Sequence, residues 1–116
     1  GERYFFAKSP RDVNKVVDIS RYIDRKIDAL CAHVCQMEMT VMDAQTALRA
    51  SGLDVALLSS ADPKEFRPVI DAQIRSWAAA VGQRAGFAYG EEFRRERFGY
   101  IERLARQLGL SLPDDV

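Results

Sequence analysis

Apolar side chains fall along this chain in two rhythms. Residues 3–7, Arg-Tyr-Phe-Phe-Ala, form a short aromatic-rich run that predicts a β-strand, and Lys15-Val16-Val17-Asp18-Ile19 predicts a second. Ser9-Pro10-Arg11-Asp12 between them is a turn cluster. From Ile23 onward the rhythm becomes helical. Ile23, Ile27, Leu30 and Val34 recur on one face, with Cys31 beside them. Ser20 suits the N-cap of that helix, and Asp24 suits the positive end of its dipole. The stripe can continue through Met37, Val41, Ala44 and Leu48 to a stop at Gly52. One long helix and two helices broken near Gln36 both fit this spacing.

Leu53 to Ser60 has no clear period and is expected to be loop. Asp62-Pro63-Lys64-Glu65 has the form of a capped first turn. Proline is tolerated only near a helix start, so Pro68 places the main helix from about Arg67. Ile70, Ile74, Trp77 and Val81 form its expected buried stripe, and Gly86 its limit. Phe87 to Arg94 alternates weakly and reads as an extended segment or turn. Tyr100, Ile101, Leu104 and Leu108 predict a last amphipathic helix stopped at Gly109, followed by a frayed tail at Pro113–Val116. No repeat, low-complexity stretch or linker divides the chain, so residues 1–116 are expected to lie within one domain.

Charge narrows the partners. Seventeen basic and seventeen acidic side chains cancel, which removes any bulk drive toward nucleic acid or anionic membrane. The densest basic run, Arg94-Arg95-Glu96-Arg97, is interrupted by Glu and reads as a solvated face. No apolar run is long enough to span a bilayer, and the N-terminus has no apolar signal region. A start at Gly1 rather than Met points to processing, a tag scar or a fragment. Cys31 and Cys35 share a face of the expected helix, a poor geometry for a relaxed disulfide. They are expected to be reduced and mostly buried, as in a cytoplasmic protein.

His33 is the only histidine. A zinc site takes three or four ligands, and Cys31-x-His33-x-Cys35 supplies three in text. On a helix, however, residues two apart point about 200° away from each other. A site from these three therefore needs non-helical backbone, and the cysteines read as packing residues. A Cys–His nucleophile pair is likewise unsupported. His33 and Gln36 are three apart and share a face distinct from the apolar stripe. A polar pair at the end of a helix can border a cleft, although a surface histidine is the plainer alternative. Asp18 reads as a capping or turn residue, and Trp77 as core.

Two patches give this pattern a family. The first is Val17-Asp18-Ile19-Ser20, then Lys26 with Ala29 and Leu30, then Ala32-His33-Val34-Cys35-Gln36. The second is Gly86-Phe87-Ala88-Tyr89-Gly90-Glu91-Glu92-Phe93-Arg94. Together they resemble the C-terminal part of the PIG-L/LmbE family of zinc-dependent de-N-acetylases. That family shows hydrophobic-Asp-Ile-Ser/Thr, Lys-x-x-Ala-Leu, Ala-His-x-Ser-Gln and, later, Gly-x-x-Tyr-Ala-Glu-x-Phe-Arg. The resemblance covers about residues 3–97, with a poorly matched stretch between the patches. Cys35 stands where the family has Ser, which exchanges a hydroxyl for a weak thiol donor. The family's N-terminal Ala-His-Pro-Asp-Asp-Glu loop and its later His-x-x-His are not in these residues.

The resemblance implies an α/β fold, the C-terminal part of a Rossmann-like deacetylase, with short strands at the N-terminus followed by mostly α-helices. Residues 1–116 would be the C-terminal portion of a single deacetylase domain. In the complete enzyme Zn2+ would be held by two His and one Asp outside this chain, and a further Asp would act as general base in hydrolysing an N-acyl group. No catalytic residue and no metal ligand is assigned here. Gln36, His33 and Glu91 are the expected substrate-binding residues, with a structural ion pair to a cation such as Lys26 as the other reading of Glu91. The implied partners are the N-terminal part of the same enzyme and an N-acylated amino sugar or glycoconjugate. The family pattern also places a turn near Gln36, which favours the broken helix. The rivals are a non-catalytic, mostly helical interaction or helper domain, and a helical module matching by chance, which would not need the two strands.

Overall fold

A computed structural model describes residues 2–7, 9–97 and 99–111, and the side chains of these except at positions 2, 96, 97 and 99–102. The chain is mixed α/β and mostly helical. It divides into two compact units, residues 1–17 with 91–116, and residues 18–90.

The first unit carries a three-stranded antiparallel sheet. Its strands are β1 (Glu2–Phe6), β2 (Lys15–Asp18) and β3 (Gly90–Arg97), in the order β1-β3-β2. The two expected N-terminal strands exist, and Ser9-Pro10-Arg11-Asp12 forms a 3-10 turn at Pro10–Asp12. The weakly alternating segment after Phe87 supplies the central strand. Phe6 lies opposite Phe93 in the ladder, and the two rings stack with centroids 5.9 Å apart. Tyr4 meets Phe93 edge-on at 5.8 Å, so three aromatics share one face. Asn14 extends the pairing of β2 with its side chain. Its Nδ2 donates to the Arg95 carbonyl at 2.9 Å, and the Arg95 N–H donates to its Oδ1 at 2.6 Å.

Helix α5 (Gly99–Gln107) ends at Gly109, whose φ of 71° suits a left-handed terminator. Its buried residue is Ala105, whereas the expected core positions Leu104 and Leu108 are exposed. Tyr100 and Ile101 lie outside the described side chains, and Pro113–Val116 outside the described residues.

The second unit comprises α1 (Ile23–Cys31), α2 (Val34–Ser51), the single-turn α3 (Ala56–Ser59), a 3-10 turn at Pro63–Glu65 and α4 (Arg67–Ala85). Asp62 caps the 3-10 turn by accepting the Lys64 N–H at 2.9 Å, as expected of a capped turn. Helix α2 ends at Gly52 and α4 at Gly86, both with positive φ. The core is Val41, Phe66 and Ile70, packed round by Cys31, Met37, Leu58, Ala61, Val69 and Ile74. Ile23 and Ile27 are buried on α1. Asp24 pairs with Arg75, and Asp28 with Arg67, so α1 and α4 run antiparallel.

Several expectations need correction. Leu53 to Ser60 is not all loop, since it contains α3, whose end is tied to α2 by Gln45. The Gln45 amide donates to the Leu58 carbonyl at 3.0 Å and the Ala61 carbonyl at 2.8 Å. Ser20 does not cap α1, which begins after Tyr22. Trp77 is not core but 66% exposed. The inward face of α4 is Ile70, Ile74, Ala78 and Gly82, because the helix closes onto the Phe87–Gly90 backbone and only small side chains fit. A Cβ at Gly82 would fall 2.6 Å from the Phe87 carbonyl oxygen and 2.8 Å from the Gly90 nitrogen. Finally, Val34 is half-exposed and Cys35 exposed, because the helical stripe is interrupted just before them.

Candidate substrate-facing site

The interruption falls at Ala32-His33. His33 has φ −85° and ψ 68°, which ends α1 and starts α2 in a new direction. Its N–H donates to the Leu30 carbonyl at 3.0 Å, and its carbonyl accepts the Met37 N–H at 3.0 Å. The break therefore sits at His33 rather than near Gln36. His33 is the N-cap of α2 and Gln36 lies in its first turn, so the polar pair occupies a helix start, not a helix end. Both side chains are exposed and neither makes a hydrogen bond among the described residues. His33 gives the first-turn N–H groups no side-chain acceptor.

Cys31 closes α1 and Cys35 lies in the first turn of α2, so the two thiols do not share one helix. Both are free. The backbone at His33 is non-helical, which removes the geometric objection to a Cys-His-Cys cluster. Even so, no group of three His, Cys, Asp or Glu among the described residues could hold a metal. The described residues thus do not fit a zinc site. What His33 and Gln36 can offer is hydrogen bonding to a hydroxyl or amide.

Glu91 is half-buried on β3, in the other compact unit from His33 and Gln36. Tyr89, two residues earlier, belongs to the helical unit and is bonded from several sides. Its N–H donates to Ser20 Oγ at 3.0 Å, and its carbonyl accepts the Ile19 N–H at 3.0 Å. Ser20 is held in turn by Asp18, whose Oδ1 accepts the Ser20 hydroxyl at 2.6 Å and the Ser20 N–H at 3.0 Å. That is the turn role expected of Asp18. The Ser20 hydroxyl, and next the Ser20 N–H, hold the Asp18 carboxyl below its ordinary range. Val17–Ser20 and Gly86–Arg94, the outer two stretches of the family pattern, therefore meet in space.

Arg75 completes this junction and was not legible as a site residue. Its Nε donates to Asp71 at 2.9 Å, and its guanidinium pairs with Asp24 and lies over the Tyr89 ring, with Cζ 5.9 Å from the centroid. Asp24 first, then Asp71 and Tyr89, hold it more firmly protonated than a free arginine. A glycine inside a helix costs about 1 kcal/mol against alanine, so Gly82 was a readable sign of close backbone approach. Arg75 carried no comparable signal.

No protein-family model, curated protein or solved structure matches this chain. Among the described residues, no helix is long and apolar enough to cross a membrane.

Proposed function

We propose that this chain is the C-terminal portion of a zinc-dependent hydrolase, similar to the PIG-L/LmbE de-N-acetylases, that removes an N-acyl group from an amino sugar or glycoconjugate. One observation carries the reading. The sequence stretches that bear the resemblance are far apart in the chain, yet Ser20 and Ile19 are hydrogen-bonded to Tyr89. A chance match has no reason to join them. The presence of β1 and β2 also goes against a purely helical module. Tyr4, Phe5 and Phe6 are exposed on an edge strand, as in a sheet continued by further polypeptide in a larger Rossmann-like fold.

In this reading His33 and Gln36 contact the substrate, and Glu91 is a separate candidate contact on β3. Zinc, when bound by residues outside this chain, would supply Lewis-acid activation of water. The test is the complete coding sequence, purified and assayed for release of free amine from N-acetylglucosamine-type substrates, with zinc measured in the same samples. Activity that disappears on chelation and returns with zinc is expected. A zinc-free full-length protein that releases no amine from any N-acylated amino sugar would sink the proposal.

A further inference from the structure

Arg75 projects from the middle of α4 and reaches three places at once. Asp71, one turn earlier on its own helix, fixes the guanidinium through Nε at 2.9 Å. Asp24 takes a second N–H from the first turn of α1. The remaining face lies over Tyr89, with Cζ 5.9 Å from the ring centroid. Only a planar fork with five donors can serve three directions in fixed geometry. Tyr89 is therefore gripped twice, through its backbone by Ser20 and Ile19 and through its side chain by Arg75. Gly82 allows the same segment to settle against α4.

We propose that Arg75 is a positioning residue that fixes Tyr89 for substrate binding; this rests on the deacetylase reading above. The ion pair to α1 argues against a mainly stabilising role. The Asp24 side chain is 78% exposed, and pairs in that setting add little to global stability. A positioning role predicts a local effect without a global one.

The experiment uses the full-length protein with Arg75→Met, Arg75→Lys, Tyr89→Leu and the Arg75→Met/Tyr89→Leu double variant. Melting temperatures are expected within about 2 °C of wild type, an effect typical of surface changes. Hydrogen exchange at the Tyr89 amide should quicken by about tenfold in Arg75→Met. KM should rise by about tenfold with kcat altered less than about threefold. Arg75→Lys should not rescue it, since an ammonium lacks the fork. The double variant should be no worse than Arg75→Met, because both changes cut the same link. Unchanged Tyr89 exchange, or additive effects in the double variant, overturns the proposal. A fall in melting temperature with KM unchanged makes Arg75 merely structural. A wild-type protein with no deacetylase activity removes the functional reading, while the exchange cycle still decides whether Arg75 holds Tyr89.

Discussion

Val17–Ser20 and Ala32–Gln36 belong to one sequence pattern, yet they spend their polar groups in opposite ways. In the first, Asp18 binds Ser20 twice, and Ser20 and Ile19 bind Tyr89. In the second, His33 and Gln36 are exposed, and their side chains have no hydrogen-bond partner among the described residues. Polar groups turned inward to the chain's own backbone hold structure. Polar groups left facing water at a sharp change of direction are available for a ligand. Under the proposed function, the resemblance would divide into an architectural half and a binding half along this difference in hydrogen bonding.

That division breaks first if the architectural half tolerates change. Gly82 should be the most sensitive position. An added methyl there meets the backbone of Phe87, Tyr89 and Gly90 at 2.6–2.9 Å, and backbone cannot swing aside as a side chain can. Gly82→Ala is expected to cost ~1–3 kcal/mol, the range for overpacking. In a domain this size that lowers the melting temperature by roughly 4–8 °C per kcal/mol. A thermal melt within error of wild type would mean that the Phe87–Gly90 segment is not seated on α4.

Ser20→Ala comes next. It strands the part-buried Tyr89 N–H, and an unsatisfied donor costs ~1–3 kcal/mol. Urea unfolding should show the loss in the midpoint with little change in slope. Equal stability of Ser20→Ala and wild type would show that water replaces the hydroxyl without penalty, and that the link between the two patches is incidental.

Asp18 gives a smaller effect with a definite sign. Its carboxyl is held below the ordinary value of about 3.9 by the Ser20 hydroxyl first and the Ser20 N–H second. A depressed folded-state pKa contributes stability that is complete above the unfolded value and is lost as pH falls through the folded one. Asp18→Asn retains an acceptor oxygen but has no charge to lose. The stability gap between wild type and Asp18→Asn should therefore be flat from neutrality to about pH 5 and close below about pH 4. Thermal melts across that series check it. A gap independent of pH would remove the charge from the account.

The two N-terminal strands, the main helical segments and the left-handed glycine stops were legible because each rests on local chemistry: aromatic runs, apolar spacing, and Gly52, Gly86 and Gly109 at helix ends. Asp18 was legible for the same reason, since its partner is two residues away. The inward face of α4 was not. Spacing put Trp77 on the buried stripe, but Ala78 and Gly82 face the close-packed backbone, a constraint imposed by a segment outside the helix. Phe66 is core although it precedes the helix, one four-residue step before Ile70 on the same inward face. The break in the long helix was anticipated but misplaced from His33 to Gln36, because apolar spacing continues across it. The Arg75 junction joins α4, α1 and Tyr89, and no sequence period encodes three elements at once.

The smallest effect on stability, and the sharpest test of the binding half, belongs to Gln36. Its side chain is exposed and contributes no hydrogen bond to the described residues, so Gln36→Ala should shift unfolding by no more than ~0.5 kcal/mol. In the proposed deacetylase its amide would orient a sugar hydroxyl but could not act as acid or base, having no ionisable group. A lost hydrogen bond typically costs ~0.5–1.5 kcal/mol, rising to ~3 when a buried partner is stranded. The expected fall in kcat/KM is therefore roughly three- to a hundredfold, with zinc content unchanged. Cys35→Ser should be tolerated, since Cys35 is exposed and Ser is the residue of the family pattern. Unchanged kinetics in Gln36→Ala would take this residue out of the site. A marked fall in melting temperature would instead place it with Ser20 in the architectural half, and the distinction between the two halves would fail at its most exposed point.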